Sequence, residues 1–313
     1  MRQRIAIIGA GMSGVACANK LITAGLEVSI FDKGRALGGR LATRLSDGWS
    51  FNHGAPSFHA DEIGFRNCIE HLVAAGSARC IDEAERLYSG NPHMNTLLAP
   101  LVNGIELHQS IEISEITREA DGWHLSSGSG QVFERFDCAL ICIPAPQAQN
   151  LIGSIKADWS NSLEVVRYDP CLTMLLGLSR TGSGLRERCF EGHSVLTTQL
   201  RQRGQDKSGG AAGEAWVAHA TPAWSKQHVD REREEIAQTM LQEFSTANDL
   251  PDIEATFLRG HRWRYAQVSR PLGESCLWDK EIKLGAAGDW CIGPDVESAF
   301  VSGSKLADQV LLS

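Results

Sequence analysis

Six residues near the start of this chain have the types and spacing to bind a dinucleotide: Gly9, Ala10, Gly11, Met12, Ser13 and Gly14. They match G-x-G-x-x-G, a pattern that indicates dinucleotide binding when it follows a strand and opens a helix. Gly9 would permit a tight turn, Gly11 would let a pyrophosphate approach the backbone, and Gly14 would let helix and strand pack closely. Helix-start amides and the helix dipole would stabilise the anion. We predict that the turn, Met12 and Ser13 included, binds a cofactor; the alternative is a structural glycine turn.

An acid and a basic segment follow at positions that suit the same ligand. Asp32 ends the next strand-like run, where its carboxylate can accept hydrogen bonds from a ribose diol. Lys33, Arg35, Gly39 and Arg40 continue directly from it. The adjacent glycines allow an unusual backbone path, and Arg40 can reach a pyrophosphate from the side opposite the helix. We predict that all five residues bind the cofactor; a solvated basic loop is the alternative.

A third candidate segment lies near the other end of the chain. Asp289 follows a glycine at the end of a predicted strand and can hydrogen-bond a ribityl hydroxyl. A helix begins near Glu297, with the small residues Ser298 and Ala299 in its first turn. Its amides would lie near the O2 edge of a flavin and stabilise the anionic reduced ring. A nicotinamide dehydrogenase does not need this second helix end, so the segment favours noncovalently bound FAD.

Candidate catalytic residues lie on two strand-like runs. Within residues 257–265, His261, Trp263 and Tyr265 share one face and would form a wall for a flat aromatic substrate. His219 is a further candidate on the run 215–221. The alternatives are aromatic side chains that fill a core and a structural histidine. The sequence contains no typical metal-ligand spacing, and we predict no metal site.

The elements that must position these residues indicate an α/β protein. Residues 4–9, 12–24 and 26–31 read as a strand, a helix and a strand, which form a βαβ unit. We predict a Rossmann-type FAD-binding domain, of the glutathione reductase and amine oxidase type, and a second, mixed α+β substrate domain, with the pocket between them. The predicted FAD domain comprises 1–60, 95–150 and 280–313, and the substrate domain 61–94 and 151–279.

The remaining predictions of local structure are coarser. Residues 105–143 read as antiparallel strands, with 139–143 returning to the main sheet, and 203–213 read as a surface loop. Further strands are predicted near 172–178, 215–221, 254–265 and 282–287, and helices near 65–76, 96–103, 230–246 and 296–311.

Composition limits the partners and the compartment. The net charge of −8 argues against a nucleic-acid or anionic-membrane partner, since either needs a dense positive field. No apolar run approaches the ~18 residues of a membrane span. The nine cysteines are scattered, which favours reduced thiols in a cytoplasmic protein. Oligomeric state is not predicted.

The motifs together resemble those of the flavin amine oxidase superfamily. GAGMSG, DKGRALGGRLATR and GDW…GPDVESAFVSG carry the resemblance. Four further segments resemble the bacterial renalase-like branch: FNHGAPSF (51–58), GNPHMNTL (90–97), WVAHATPAWSKQH (216–228) and HRWRYAQV (261–268). The resemblance covers nearly all of the 313 residues and supports a position of His261 near the flavin.

The resemblance implies an oxidase that takes a hydride from dihydronicotinamides reduced at the wrong ring carbon. The electrons would pass to O2, giving H2O2 and NAD(P)+. Asn52 stands where the family usually has Asp, and Pro56-Ser57 where it has Gln-Tyr, which leaves the exact small-molecule substrate open. An amine oxidase or desaturase of the same fold, or a flavin-binding redox sensor with little turnover, remains an alternative.

Overall fold

The computed structural model describes residues 3–153, 155, 157, 159–179, 182–202, 213–251 and 253–313. Most of the predicted loop at 203–213 lies outside these residues. The chain forms two compact units: the first comprises Met1–Leu41, Ser57–Arg167 and Val268–Ser313, and the second Ala42–Pro56 and Tyr168–Gln267. Among the described helices, none combines the length and the apolar character that crossing a membrane requires.

Within the described ranges the chain forms seven α-helices and four short 3₁₀ helices. The α-helices are α1 (Met12–Thr23), α2 (Ile63–Ala74), α3 (Ala145–Ile152), α4 (Pro222–His228), α5 (Arg233–Ala247), α6 (Asp289–Ile292) and α7 (Val296–Leu311). The 3₁₀ helices span Gly39–Leu41, Met94–Thr96, Ala99–Val102 and Ser160–Val165.

The same described residues form nineteen strands. In chain order they are β1 (Arg4–Ile8), β2 (Glu27–Asp32), β3 (Thr43–Ser46), β4 (Trp49–Asn52), β5 (Phe58–His59), β6 (Ala78–Asp82), β7 (Leu87–Gly90), β8 (Glu106–Gln109), β9 (Ile113–Glu119), β10 (Gly122–Ser127), β11 (Val132–Phe136), β12 (Cys138–Ile141), β13 (Arg167–Leu178), β14 (Arg188–Cys189), β15 (Leu196–Gln202), β16 (Glu214–Ala220), β17 (Ala255–Arg270), β18 (Leu277–Asp279) and β19 (Leu284–Ala286).

A six-stranded sheet in the order β18-β19-β12-β1-β2-β8 forms the centre of the first unit. Its pairs are parallel except for β18 with β19. Ile5 and Ile7 of β1 are fully buried, as expected for a parallel strand in a sheet that is covered on both faces. The predicted Rossmann-type α/β fold is therefore confirmed.

The order of the strands reverses at β1, which places a crevice at the start of α1. From β1 the chain passes through α1 to β2 on one side, while β12 lies on the other side. In open α/β sheets, ligands bind at such a switch point, beyond the carboxyl ends of the strands. The glycine-rich turn follows β1 directly and therefore lies where a nucleotide is expected.

Helix α7 packs closely against α1 in the first unit. A Cβ atom on Gly303 would lie 2.0 Å from the carbonyl oxygen of Ser13, so only glycine fits at this contact. The helix thus brings the end of the chain to the first turn of α1. The strand and helix predicted at 282–287 and 296–311 are confirmed as β19 and α7.

Two smaller sheets complete the first unit, in the orders β11-β10-β9 and β5-β7-β6. The antiparallel prediction for 105–143 is confirmed for β9, β10 and β11, but β8 pairs parallel with β2 in the main sheet. Residues 57–94 pack in this unit, whereas the sequence placed 61–94 with the substrate domain. A side-chain contact explains the difference: Glu297 of α7 accepts hydrogen bonds from the amides of Asp61 and Glu62.

The second unit is built on a five-stranded sheet in the order β14-β15-β16-β13-β17. Trp216, Met240 and Phe244 are fully buried and form part of its core, which joins β16 to α5. A Cβ atom on Gly260 would lie 2.1 Å from the carbonyl oxygen of Arg233, so α5 approaches β17 closely. The hairpin of β3 and β4 belongs to this unit and leads directly to His53.

Candidate active site

Two glycines of the predicted turn are required by the protein itself. Gly9 has a φ of +112°, and a Cβ atom there would lie 2.3 Å from the carbonyl oxygen of Cys142. A Cβ atom on Gly14 would lie 2.0 Å from the carbonyl oxygen of Gly9. The turn therefore closes tightly on β12, and α1 packs closely on the turn.

Gly11 differs from Gly9 and Gly14 because the packing of the protein does not require a glycine at this position. Its φ of −77° is available to any residue, and no heavy atom lies within 4 Å of a Cβ atom placed there. Met12 and Ser13 are buried beside it, and no side chain caps the first turn of α1. The space and the helix N-terminus together fit a phosphate group.

The loop after β2 returns to this turn. Gly38 forms a parallel bridge with Gly11 and donates its amide hydrogen to the carbonyl oxygen of Ala10. Gly39 has a φ of +55°, and a Cβ atom on it would lie 3.6 Å from the Cα atom of Gly11. The paired glycines thus carry Arg40 past the start of α1.

Asp32 binds the backbone on both sides of the turn. Its Oδ2 accepts from the amide of Ala10 and its Oδ1 from the amide of Gly34, each at 2.6 Å. Each carboxylate oxygen has a second lone pair, so ribose hydroxyls can still donate to it. The neighbouring Lys33 pairs with Glu112 at 3.7 Å, and Arg35 is exposed.

Arg40 and Asp289 form a two-pronged ion pair. Arg40 Nη1 donates to Asp289 Oδ2 and Nη2 to Oδ1, both at 2.6 Å. The Asp289 side chain is only 4% exposed, whereas that of Arg40 is 31% exposed. The amide of Gly288 donates to Ser302 Oγ, which ties Asp289 to α7. The predicted N-terminal and C-terminal segments therefore meet in one unit.

The start of α7 presents amides that have no acceptor among the described residues. Asp295 caps the helix, because its Oδ1 accepts from the amide of the buried Ser298 at 2.6 Å, and Ala299 donates to the carbonyl oxygen of Asp295. The amides of Val296 and Glu297 remain available for a ligand. The Glu297 carboxylate is turned towards the start of α2, so only its amide can serve as predicted.

A second set of candidate residues lies within the second unit. The rings of His261 and Trp263 have centroids 4.5 Å apart, as expected for neighbours on one face of β17. His53 joins them, with its ring centroid 4.5 Å from that of His261 and 5.2 Å from that of Trp263. We call His53, His261, Trp263 and His219 the imidazole cluster.

The backbone of His53 binds two members of this cluster. Its carbonyl oxygen accepts from Trp263 Nε1 at 3.0 Å and lies 3.3 Å from His219 Nε2. A carbonyl oxygen only accepts, so His219 carries its proton on Nε2 and its Nδ1 accepts from Thr198 Oγ1 at 3.0 Å. The ring donors of His219 and Trp263 are thus used within the protein, and both side chains support His53.

The imidazoles of the cluster are neutral at physiological pH. Burial, with a smaller contribution from the nearby Arg44, lowers the pKa of His53 to about 4. Burial also lowers the pKa of His261 to about 3, with contributions from His53 and Arg233. The pKa of His219 is lowered by burial as well. These rings can therefore each donate one hydrogen bond and accept one.

His53 was not among the predicted site residues. It lies in the family-like segment 51–58. Its position directly after the second strand of a hairpin is the signal that would have found it.

Comparisons with known proteins agree with this geometry. A model of NAD(P)-binding Rossmann-like domains matches residues 7–73. Renalase of Mus musculus is 24% identical over 305 residues, which covers 87% of each chain. A 4,4'-diapophytoene desaturase of Staphylococcus aureus is 43% identical over 51 residues, covering 16% of this chain and 10% of the desaturase.

A solved structure shows the same fold over the whole chain. It is assigned as a protoporphyrinogen oxidase from Exiguobacterium sp. 255-15, with a TM-score of 0.76 and 14% identity, over 100% of this chain and 99% of that one. The Rossmann-like match in the first unit and the similarity to renalase over most of the length support a flavin-dependent oxidoreductase.

Proposed function

We propose that the protein is an oxidase with noncovalently bound FAD that takes a hydride from dihydronicotinamides, namely misreduced isomers of NAD(P)H. The single observation that carries the proposal is the ion pair of Arg40 with Asp289. It joins the loop beside the glycine turn to the segment before α7 in one unit, as a ligand that spans a diphosphate and an isoalloxazine ring requires.

The residues of the first unit fit each part of FAD. The open space at Gly11 and the free helix start suit the diphosphate, and the exposed part of Arg40 supplies a cation beside it. Asp32 suits the ribose, Asp289 the ribityl chain, and the amides of Val296 and Glu297 the O2 edge of the ring. When bound, FAD would supply the redox chemistry, namely a hydride acceptor and a route for the electrons to O2 with release of H2O2.

The imidazole cluster of the second unit supports the substrate class. A dihydropyridine that loses a hydride becomes an aromatic cation without losing a proton, so the reaction needs no general base. Neutral rings such as His53 and His261 then have to bind and orient the substrate, which is the main requirement for hydride transfer.

Anaerobic reduction of the purified yellow protein tests the proposal. Aged NADH that contains misreduced isomers should bleach the flavin band near ~450 nm rapidly, whereas fresh NADH and simple amines should not. Admission of air should then restore the band and release one H2O2 for each substrate. Bleaching by amines alone would favour an amine oxidase, and no bleaching by either would favour a redox sensor.

We further propose that the protein acts in the cytoplasm. All nine cysteines are free, and Cys17, Cys138, Cys142 and Cys291 are buried. Buried thiols without disulfide partners are typical of proteins in reducing compartments. Fractionation of the source cells tests this, and recovery outside the cytoplasmic fraction would contradict it.

A further inference from the structure

The imidazole cluster contains ring nitrogens that none of the described residues binds. They are Nε2 of His53 and both ring nitrogens of His261. None of them is among the fully buried polar atoms that lack a partner. The first unit's amides suit an anion, but these nitrogens belong to uncharged rings and suit a neutral polar group.

The proton of His53 is on the nitrogen that faces the protein. Its Nδ1 lies 3.4 Å from the carbonyl oxygen of Phe51, and a carbonyl oxygen only accepts. Nδ1 therefore carries the hydrogen, and Nε2 presents a lone pair as a hydrogen-bond acceptor.

His261 supplies the complementary donor. A neutral imidazole has one N–H, and neither nitrogen of His261 is bound within the described chain, so this hydrogen is available for a ligand. The ring centroids of His53 and His261 are 4.5 Å apart, with an interplanar angle of 84°. An acceptor and a donor thus lie side by side.

We propose, on the basis of the proposed function, that His53 and His261 together recognise the primary carboxamide of the dihydropyridine substrate. The amide NH2 group donates to Nε2 of His53, and the amide oxygen accepts from the N–H of His261. A 3-acetyl group has the oxygen but not the NH2 group, and a 3-carboxylate has no donor and carries a charge. The pair therefore selects the amide over both.

Thr198, His219 and Trp263 are positioning residues for this recognition. Thr198 donates to His219, and the carbonyl oxygen of His53 accepts from both His219 and Trp263. Strands β15, β16 and β17 thus each contribute one side chain to hold the residue that follows β4. Loss of one of these bonds should shift His53 and weaken selection for the amide.

Binding of unreactive ligands to the holoprotein tests the proposal apart from turnover. We would measure the Kd of 1-methylnicotinamide and of 1-methyl-3-acetylpyridinium by isothermal titration calorimetry. The wild-type protein should bind the amide about 10-fold more tightly or better, because the ketone leaves Nε2 of His53 without a donor. Equal binding of the two ligands, or no binding of either, would overturn the proposal.

Variants locate the effect. His53→Phe and His261→Phe keep a flat ring. Each should bring the ratio of the two Kd values, ketone over amide, to near 1. If one variant fails to fold, the other still decides the test. The matched control is His228→Gln, another histidine whose ring stacks on an indole, at 4.5 Å from Trp224, and it should keep the wild-type preference. A preference that survives in both phenylalanine variants would overturn the proposal.

Thr198→Val tests the positioning role. It should lower the amide preference partly and shift the ¹⁵N resonance of His219 Nδ1. A wild-type preference in this variant would contradict the role of Thr198.

If 3-acetyl and 3-carboxamide dihydropyridines reduce the flavin equally well, the proposed amide recognition is wrong, and the oxidase proposal stands. If no dihydropyridine reduces the flavin, the proposed function fails, and the calorimetry still decides the recognition.

Discussion

The two units are built for binding in different ways. The first offers fixed backbone amides at two helix ends and one cation, Arg40, held by a buried carboxylate. The second offers neutral rings, with His53 and His261 side by side. Amides and a fixed cation stabilise an anion whatever the rest of the ligand is, whereas neutral rings distinguish ligands by the direction of a hydrogen bond. If the proposals hold, the first arrangement would give affinity and the second would give selectivity.

Arg40→Ala should produce the largest effect, because it removes the cation and leaves the buried Asp289 carboxylate without its partner. We expect flavin affinity to fall about 100-fold or more, equivalent to about 3 kcal/mol. Ultrafiltration followed by absorbance of the retained flavin measures the loss. Lys20→Ala, which breaks a more exposed ion pair with Asp308 on α7, is the control and should keep its flavin. Full retention in Arg40→Ala would refute the role of Arg40.

Gly11→Ala and Gly14→Ala should separate ligand binding from packing. A methyl group fits the protein at Gly11 but would lie 2.0 Å from the Gly9 carbonyl oxygen at Gly14. Gly14→Ala should destabilise the protein by about 1–3 kcal/mol, whereas Gly11→Ala should cost less than about 1 kcal/mol and still lose flavin. Thermal unfolding and flavin titration measure the two effects. Wild-type flavin affinity in Gly11→Ala would contradict a phosphate at this position.

Acid should destabilise the protein through its neutral imidazoles. The folded pKa values of His53 and His261, about 4 and about 3, lie below the ordinary value of 6.5. The unfolded state therefore binds more protons between these values, so stability is complete above pH 6.5 and is lost as the pH falls towards 4. Burial, Arg44 and Arg233 are the causes that hold these pKa values down.

We expect a loss of roughly 1–2 kcal/mol for each of the two rings by pH 5. Urea unfolding between pH 7 and pH 5 measures it. His53→Phe and His261→Phe should each flatten this dependence, and a wild-type slope in both variants would show that the two rings are not neutral in the folded protein.

Trp263→Phe should have the smallest effect. It removes the hydrogen bond from Nε1 to the His53 carbonyl oxygen, which is worth about 0.5–1.5 kcal/mol. Trp278→Phe is the matched control, because its indole nitrogen is buried and has no partner among the described residues. Urea unfolding of both variants at pH 7 gives the difference. A larger loss in the control would mean that packing, and not this hydrogen bond, accounts for the effect.

The elements that carry the proposed cofactor site could be predicted from the sequence because each part is local. The turn, the acid and the glycine pair have fixed spacing along β1, α1 and β2, and β19 and α7 end the chain in recognisable form. The helix expected at 96–103 was wrong in type: residues 94–102 form two short 3₁₀ turns, the second with Pro100 in its first turn. A proline there has no amide to continue a longer helix.

The support of His53 could not be predicted because its contacts are distant in sequence. Thr198, His219 and Trp263 lie on three strands, and only the pairing order of the sheet brings them to one backbone carbonyl. Strand periodicity correctly placed His261 and Trp263 on one face of the strand, but it does not predict which residue packs against them.

The contact of Gly303 with Ser13 has a consequence for biosynthesis. Helix α1 is made well before its partner α7 and before the strands β18 and β19 at one side of the main sheet. A ribosome must therefore release residues 277–311 before this unit can close around its first turn. Until then the surfaces of β12 and α1 that β19 and α7 cover in the folded unit are exposed.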